Sequence, residues 1–479
     1  NLTNPKLSGV FDVRNLSIPE LMTTVRNINL NFGSRDVHVA LRDVVSNGSD
    51  FNINMLTTWK LLSEMKLAYV KVYSKLIDVD KLMKVSDALM KSLPTAQGVT
   101  STASNQTADI PVEIMRGNIN LKRIKSGNII ANNTTGRIAL LKNIFYLNKL
   151  KTYPLGGQVV GDVSMNLVST ELKAKVQGKS FNIEKLLLDF ANMKDTLSGD
   201  LNFLADVSLK GLTQEEQMKS LKGYVDFNVK KGQLGPFGKF ENFLMAENIR
   251  NNAFFSSAIG SVITNIVTFD TSHFEYLYGH LTFDNGFAQV APIKSQGNVM
   301  SMYIAGKVGL LDNSADLKVR GKLASAFSDK LGPLANINPI NLVKNTPGLN
   351  VVLAKTFSIF CQAVSEEEMK AIPALGKGKT DEYATKFQIV LRGDTRKPLK
   401  MIKSFKWLAL NSEIESAQDF VDTIPVPEAG EENLSVEELI KLREEQAAAA
   451  TATTQAAEEA EKVQSKSIFS KFKKSKEKI

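Results

Sequence analysis

Leu172 to Leu187 reads LKAKVQGKSFNIEKLL, and Leu67 to Met83 reads LAYVKVYSKLIDVDKLM. In both, an alternating run meets a polar turn and then a hydrophobic and acidic step: Phe181-Asn182-Ile183-Glu184, with Asn in the first acidic place, or Ile77-Asp78-Val79-Asp80. Lys and an apolar pair follow. Alternation gathers apolar side chains on one face of a strand, and carboxylates at the start of the next apolar run suit the positive end of a helix. The repeated unit is a strand that delivers the chain into a short helix. Units this small cannot bury their own apolar face and must stack on neighbours. The chain therefore reads first of all as a long β-assembly.

The alternation recurs throughout. Leu201, Phe203, Ala205, Val207 and Leu209 share one face of a strand whose other face carries Asn202, Asp206 and Ser208. The same period of two appears at Val37-Val39-Leu41, Phe51-Ile53-Met55, Val163-Met165-Leu167, Leu172-Ala174-Val176, Val225-Phe227-Val229 and Phe387-Ile389-Leu391. Turn pairs fall at hairpin intervals: Asn47-Gly48, Ser126-Gly127, Gly156-Gly157, Lys231-Gly232, Asn285-Gly286 and Asp312-Asn313. Asn-Gly supplies the positive φ angles that two-residue hairpins need, so the sheet is expected to be antiparallel, strand following strand. Helical spacing is confined to Pro236–Val267 and Ala324–Lys344, which read as caps on the sheet.

Composition narrows the chemistry. The 479 residues are 43% hydrophobic, enough for a large core and too much for a disordered chain. A single Cys361 gives no disulfide framework, and His38, His273 and His280 are the only imidazoles, which argues against a metalloenzyme or a His-dependent hydrolase. Asp78 with Asp80 reads as helix-start carboxylates, not a calcium site, and Cys361 lies in a mostly apolar run that suits a buried small residue. The excess of nine positive charges falls on Lys-rich strand edges, where lysine discourages edge-to-edge aggregation, and no nucleic-acid-binding motif accompanies it. The expectation is a protein that is not an enzyme, with no cofactor, no metal and no nucleic-acid partner.

Composition also divides the chain. Residues 1–92 form an amino-terminal β-unit, and 93–108 (LPTAQGVTSTASNQTA) a flexible linker or loop. Residues 109–424 are the β-rich body, and 425–479 an acidic helical segment and basic tail, introduced by Pro425-Val426-Pro427 and a capping pattern at Ser435 and Glu438. In that tail Ile468, Phe469 and Phe472 stand beside Lys471, Lys473 and Lys474. This is either a disordered basic tail or a membrane-surface patch attracted to anionic lipid. Asn251–Phe269 is uncharged but carries Asn251, Asn252, Ser256, Ser257, Ser261, Thr264 and Asn265, so it reads as a buried or covering helix, not a membrane span. The chain opens at Asn1 and not at Met, so an amino-terminal anchor or signal outside this sequence is expected.

Four blocks follow in order between Asp109 and Trp407, after the phrase ending in IEKLL: LSGDLNFLADVSLKG, SLKGYVDFNVKKGQL, FEYLYGHLTFDNGFAQVAPI and FQIVLRGDTRKPLK. Gly223 with Gly232, and Gly279 with Gly286, are expected to bracket strands that end in hairpins. The ordered set resembles the carboxy-terminal region of the AsmA-like proteins, relatives of the bridge-like lipid-transfer proteins of the Gram-negative envelope.

The resemblance implies an elongated, curved antiparallel sheet, open along one side as a hydrophobic groove; with the reading of the residues this makes a mainly β protein of repeated units with a few short capping helices and a helical or disordered carboxy-terminal tail. It implies an envelope-biogenesis protein that binds phospholipid acyl chains in the groove and conducts lipid between inner and outer membranes. Its partners would be phospholipids, the inner membrane through an anchor outside this chain, and an outer-membrane or periplasmic protein. Its place would be the periplasm. Pattern alone favours an ordinary closed core, because most alternating strands bury their apolar face; on that alternative the protein is a β-array scaffold or surface adhesin. If the face is open, the residues expected to line it are Leu201, Phe203, Val207, Val225, Phe227, Val229, Leu281, Phe283 and Ile304.

Overall fold

The computed structural model describes residues 8–19, 22–82, 112–191, 197–234, 273–324, 361–376, 384–423 and 438–452, with isolated positions besides. The expected linker 93–108, the helical stretch Pro236–Val267 with the uncharged run Asn251–Phe269 that overlaps it, residues 325–344 of the second helical stretch, and the basic tail from Lys466 lie outside the described residues. The protein is mainly β, and its 21 described strands belong to one mixed sheet.

Strands β1 (Gly9–Ile18), β2 (Thr23–Phe32), β3 (Asp36–Ser46) and β4 (Ser49–Thr58) form an antiparallel meander. Helix α1 (Trp59–Ser63) follows, its first turn capped by the Thr58 hydroxyl, which accepts the Leu61 N–H. Then come β5 (Lys66–Leu67), β6 (Tyr69–Ser74) and β7 (Ile77–Asp78). β6 is antiparallel to β4, but all three run parallel to β8 (Glu113–Ser126). A parallel pair needs a crossover of a dozen or more residues, and the stretch from 79 to 112 is long enough to supply it.

From β8 onward the antiparallel order resumes through β9 (Ile129–Leu141), β10 (Ile144–Pro154), β11 (Gln158–Asn166) and β12 (Glu171–Asn182). Helix α2 (Ile183–Ala191) leads to β13 (Leu197–Lys210), and helix α3 (Gln214–Ser220), held by a Thr213–Glu216 capping box, leads to β14 (Lys222–Leu234). β15 (His273–Asp284), β16 (Phe287–Gln296) and β17 (Met300–Gly309) complete the antiparallel series. β18 (Ser314–Leu323) pairs with β20 (Thr385–Asp394). β19 (Cys361–Val364) runs parallel to β21 (Ile402–Leu410), with helices α4 (Glu366–Lys370), α5 (Pro398–Met401) and α6 (Asn411–Thr423) among them.

Both copies of the opening phrase form the expected unit. β12 passes directly into α2, where Asn182 Oδ1 accepts the Lys185 N–H at 2.9 Å. β7 passes into a helical turn at residues 79–82, where Asp78 Oδ1 accepts the Lys81 N–H at 3.2 Å. Asn47-Gly48 and Asn285-Gly286 are hairpin turns with positive φ at both residues. Lys231-Gly232 is not a turn. It lies inside β14, where Lys231 has φ 49° and the space beside Gly232 is filled by the Phe274 ring and the Ser198 carbonyl. Gly279 likewise sits within β15.

The chain divides into two compact units. The first holds residues 1–321, 372–379 and 389–404, and so the whole series from β1 to β17. The second holds 322–371, 380–388 and 405–479. In it Leu323 and Phe387 are completely buried, and Phe405 stacks on Phe387 and meets Trp407 edge-on at centroid distances of 5.8 and 4.7 Å. Residues 438–452 of the acidic segment are helical. Leu439 there is fully buried, and Arg443 Nη2 lies 2.7 Å from Glu431.

Candidate functional site

Register aligns apolar residues across the first unit. Directly opposed positions run Phe11, Leu30, Val39, Met55, Val70, Gly117, Ile138 and Leu147, one each on β1, β2, β3, β4, β6, β8, β9 and β10. The row continues through Val163, Ala174, Val207, Gly223, Phe283, Ala288 and Val308 on β11 to β17. Every position is apolar or glycine. At about 4.8 Å between neighbouring strands, the row is roughly 67 Å long.

A second row lies two residues along each strand, on the same face. It runs Val13, Ile28, Leu41, Ile53, Val72, Ile119 and Gly136, and resumes past a β-bulge as Leu150, Gly161, Val176, Ala205, Val225, Leu281, Val290 and Gly306. Between the two rows, on the reverse face, stand Asp162, Lys175, Asp206, Tyr224, Thr282, Gln289 and Lys307. Lys175 and Asp206 approach to 3.5 Å, and His280 Nδ1 lies 2.7 Å from Asp226 Oδ1 beneath Tyr224. These exposed pairs contribute little stability. They mark the reverse face as the wet one.

The two apolar rows are sealed only in places, at Val70, Gly117, Ile138 and Ala288 in the first and at Ala205 and Val290 in the second. Leu30, Val39, Met55, Leu147, Val163, Val207, Phe283 and Val308 in the first, and Ile28, Leu41, Ile53, Val72, Ile119, Val176, Val225 and Leu281 in the second, are half-buried. A neighbouring row behaves differently. Phe181, Leu201, Val229, Leu277, Ser295 and Met302 are opposed in sequence across β12 to β17, and none is more than 7% exposed. Helix α2 packs against β12 and β13 at its start. Towards its end, the segment 372–376 is bonded to the sheet through Ser301 Oγ to the Pro373 carbonyl and Gln296 Nε2 to the Leu375 carbonyl.

The expected lining residues thus share one face but differ in cover. Phe203, Val207, Val225, Phe227, Leu281, Phe283 and Ile304 are half-buried, whereas Leu201 and Val229 belong to the covered row. Phe203 opposes Phe227 directly, and each ring reaches over a glycine on the next strand outward, Gly178 and Gly279. The membrane-surface residues Ile468, Phe469, Lys471, Phe472, Lys473 and Lys474 lie outside the described residues.

Sequence reading missed the devices that hold the register. At three bulges a residue with positive φ donates its N–H to an Asx side chain on the adjoining strand: Asp43 to Asn52 Oδ1, Lys149 to Asp162 Oδ1 and Ser180 to Asn202 Oδ1, at 3.0, 2.8 and 3.1 Å. Bulges bend and twist the strand that carries them. The only local signal is an Asn or Asp on the wet face of a strand, which alone is uninformative.

Elsewhere the chemistry is quiet. Burial pushes the Cys361 thiol up to about 12, with Lys406 a smaller opposing influence. No group of His, Cys, Asp and Glu among the described residues is placed to hold a metal ion, and no described helix is long and apolar enough to cross a membrane.

Residues 78–293 match the AsmA family. The AsmA-like stretch begins at β7, the strand end of the first repeated phrase, and closes with the block FEYLYGHLTFDNGFAQVAPI at Ile293. It takes in the first three of the four blocks that carry the sequence resemblance and leaves out FQIVLRGDTRKPLK. Within it lie strands β8 to β15 and all the expected lining residues except Ile304. No curated protein and no solved structure matches the chain.

Proposed function

We propose that this protein holds phospholipid by its acyl chains against the two apolar rows and conducts lipid along them between the inner and outer membranes, from a place in the periplasm. The observation that carries the reading is the half-burial of most positions in both rows across the first unit, beside a row that is fully covered. Side chains left half in water gain by burying an acyl chain, at about 0.8 kcal/mol per methylene. The gain depends on area and not on any one contact, so a tail moved from one strand to the next exchanges like for like. The headgroup stays in water, and no catalytic group is required.

The AsmA family match supports the envelope and lipid-transport setting. An inner-membrane anchor outside this sequence, and a periplasmic or outer-membrane partner, belong to the same proposal. Native mass spectrometry of protein purified without detergent tests it. Co-purifying phospholipid is the expected result. Clean apo protein that also fails to take up a fluorescent phospholipid would overturn the reading in favour of a β-array scaffold or adhesin.

A further inference from the structure

The apolar face ends differently along its two sides. On one side lies the covered row from Phe181 to Met302. On the other the face runs on past the first row: Ile114, Leu140, Phe145, Met165, Leu172 and Leu209 are directly opposed across β8 to β13, and all are half-buried. Just beyond Met165 the turn between β11 and β12 presents Leu167, 40% exposed, and just beyond Leu209 the loop before α3 presents Leu212, 82% exposed. A lone exposed leucine is ordinary. The backbone around these two is less so. The Leu167 N–H donates to the Asn143 carbonyl in the turn between β9 and β10, and the Val168 and Ser169 N–H groups donate to Asn166 Oδ1, at 2.9, 2.9 and 2.8 Å. The Gly211 N–H donates to Thr170 Oγ1, which ties the second loop to the first turn, and the Leu212 and Thr213 N–H groups both donate to Glu216 Oε2. At both tips the N–H groups that a surface turn can leave to water are met within the protein.

We propose that this rim docks on a phospholipid bilayer surface, with Leu167 and Leu212 as its anchors, and is the side from which an acyl chain passes over Met165, Leu172 and Leu209 onto the two apolar rows. Backbone that enters lipid must satisfy its polar groups internally, and the two tips do so. Single leucines on separate turns need no matching cavity in a fluid bilayer, where attachment scales with the apolar area buried; a protein partner would need a packed pocket for each. Charges beside the tips are paired, Lys173 with Glu171 at 3.1 Å and Lys219 with Glu215 at 2.6 Å. Such a surface suits zwitterionic headgroups, whereas anionic membranes attract clustered lysines. The passage of an acyl chain rests on the proposed lipid path; the docking does not.

Flotation of the full 479-residue chain with phosphatidylcholine vesicles tests the docking. Neutral vesicles offer the lysines of the basic tail no anionic lipid. The chain should float, and Leu212→Asp and Leu167→Asp should each weaken partitioning at least about tenfold, the weight of one buried leucine. Met22 is 65% exposed in the turn between β1 and β2, at the opposite ends of the strands, and Met22→Asp should change nothing. Circular dichroism checks that each variant stays folded. Cys361 is buried, so Leu212→Cys can be labelled selectively with a polarity-sensitive fluorophore. Its emission should shift to the blue when vesicles are added, and that of labelled Met22→Cys should not. A chain that does not float, or that floats equally well with both leucines replaced, overturns the docking. Phospholipid that co-purifies with such a chain leaves the lipid path standing without this entry. Flotation that depends on the two leucines, in a chain that holds no lipid, upholds the docking and removes the path.

Discussion

The ring of Phe203 occupies the space beside Gly178, its directly opposed neighbour on β12, that a Cβ there would need. The arrangement recurs: Phe227 lies against Gly279 and Phe274 against Gly232, again directly opposed. A phenyl ring laid over a glycine on the adjoining strand shields exposed backbone and pins register. It also leaves the outer face of the ring in water, which is why Phe203 and Phe227 are half-buried on an apolar face.

This contact makes a pairwise prediction. Gly178 does not have the positive φ that would strain an alanine, so Gly178→Ala acts by steric conflict with the ring and should cost about 1–3 kcal/mol. In a Phe203→Ala background the conflict is gone, and the same substitution should cost less than about 0.5 kcal/mol. Urea denaturation of the four proteins in the cycle measures the difference. Additive costs would mean that the ring and the glycine are not coupled.

The bulges supply a second. Ser180, at φ 57°, donates its N–H to Asn202 Oδ1 on β13. Asn202→Ala removes the acceptor and should destabilise by about 1 kcal/mol, the usual worth of a hydrogen bond to a strained backbone group that water can partly replace. Asn202→Asp keeps an acceptor, as Asp162 does for Lys149, and should unfold within about 0.5 kcal/mol of wild type. If Ala and Asp are equally harmful, the side chain is needed for something other than acceptance.

How legible this was depended on how local each feature is. The strands were legible because a sheet with one wet face must alternate, and Leu201 to Leu209 alternates for the same reason in sequence and in structure. Lys231-Gly232 was misread because a bulge and a hairpin turn use the same chemistry, a residue that tolerates positive φ. The rows that cross the sheet were not legible, because the opposition of Phe11 to Leu30 or Val207 to Gly223 is fixed by turns and bulges many residues away. Nor does a period of two separate Phe227 from Val229. They share a strand face, but Val229 lies in the row between Leu201 and Leu277 that is covered, and cover is a tertiary property.

Cys361 offers a chemical test of the second unit. Burial raises its thiol from an ordinary value near 9 to about 12, so the thiolate, the reactive form, is about a thousandfold scarcer at a given pH below both values. At pH 8 the native protein should be labelled by a maleimide orders of magnitude more slowly than the protein in guanidinium, and the gap should narrow as pH rises past 9, because the native thiolate still increases about tenfold per pH unit while the unfolded thiol is already ionised. Rapid labelling of native protein would show that the environment of β19 opens readily.

The contrast between Phe227 and Val229 yields the test that separates a lipid path from a core. Val229 is completely buried, so Val229→Asp places a charge without water or partner and should cost about 4 kcal/mol or more, enough to prevent folding. Phe203 and Phe227 are half-buried, and a carboxylate at either position turns outward into water at a cost of about 1–2 kcal/mol. Phe203→Asp and Phe227→Asp should therefore melt only a few degrees below wild type. In the lipid reading they also put a charge in the way of an acyl chain, where desolvating it costs several kcal/mol. Fluorescent phospholipid uptake should then be largely lost in both while cooperative unfolding persists. Uptake that survives both substitutions would remove these side chains from the path, and unfolding as complete as that of Val229→Asp would make them part of a closed core.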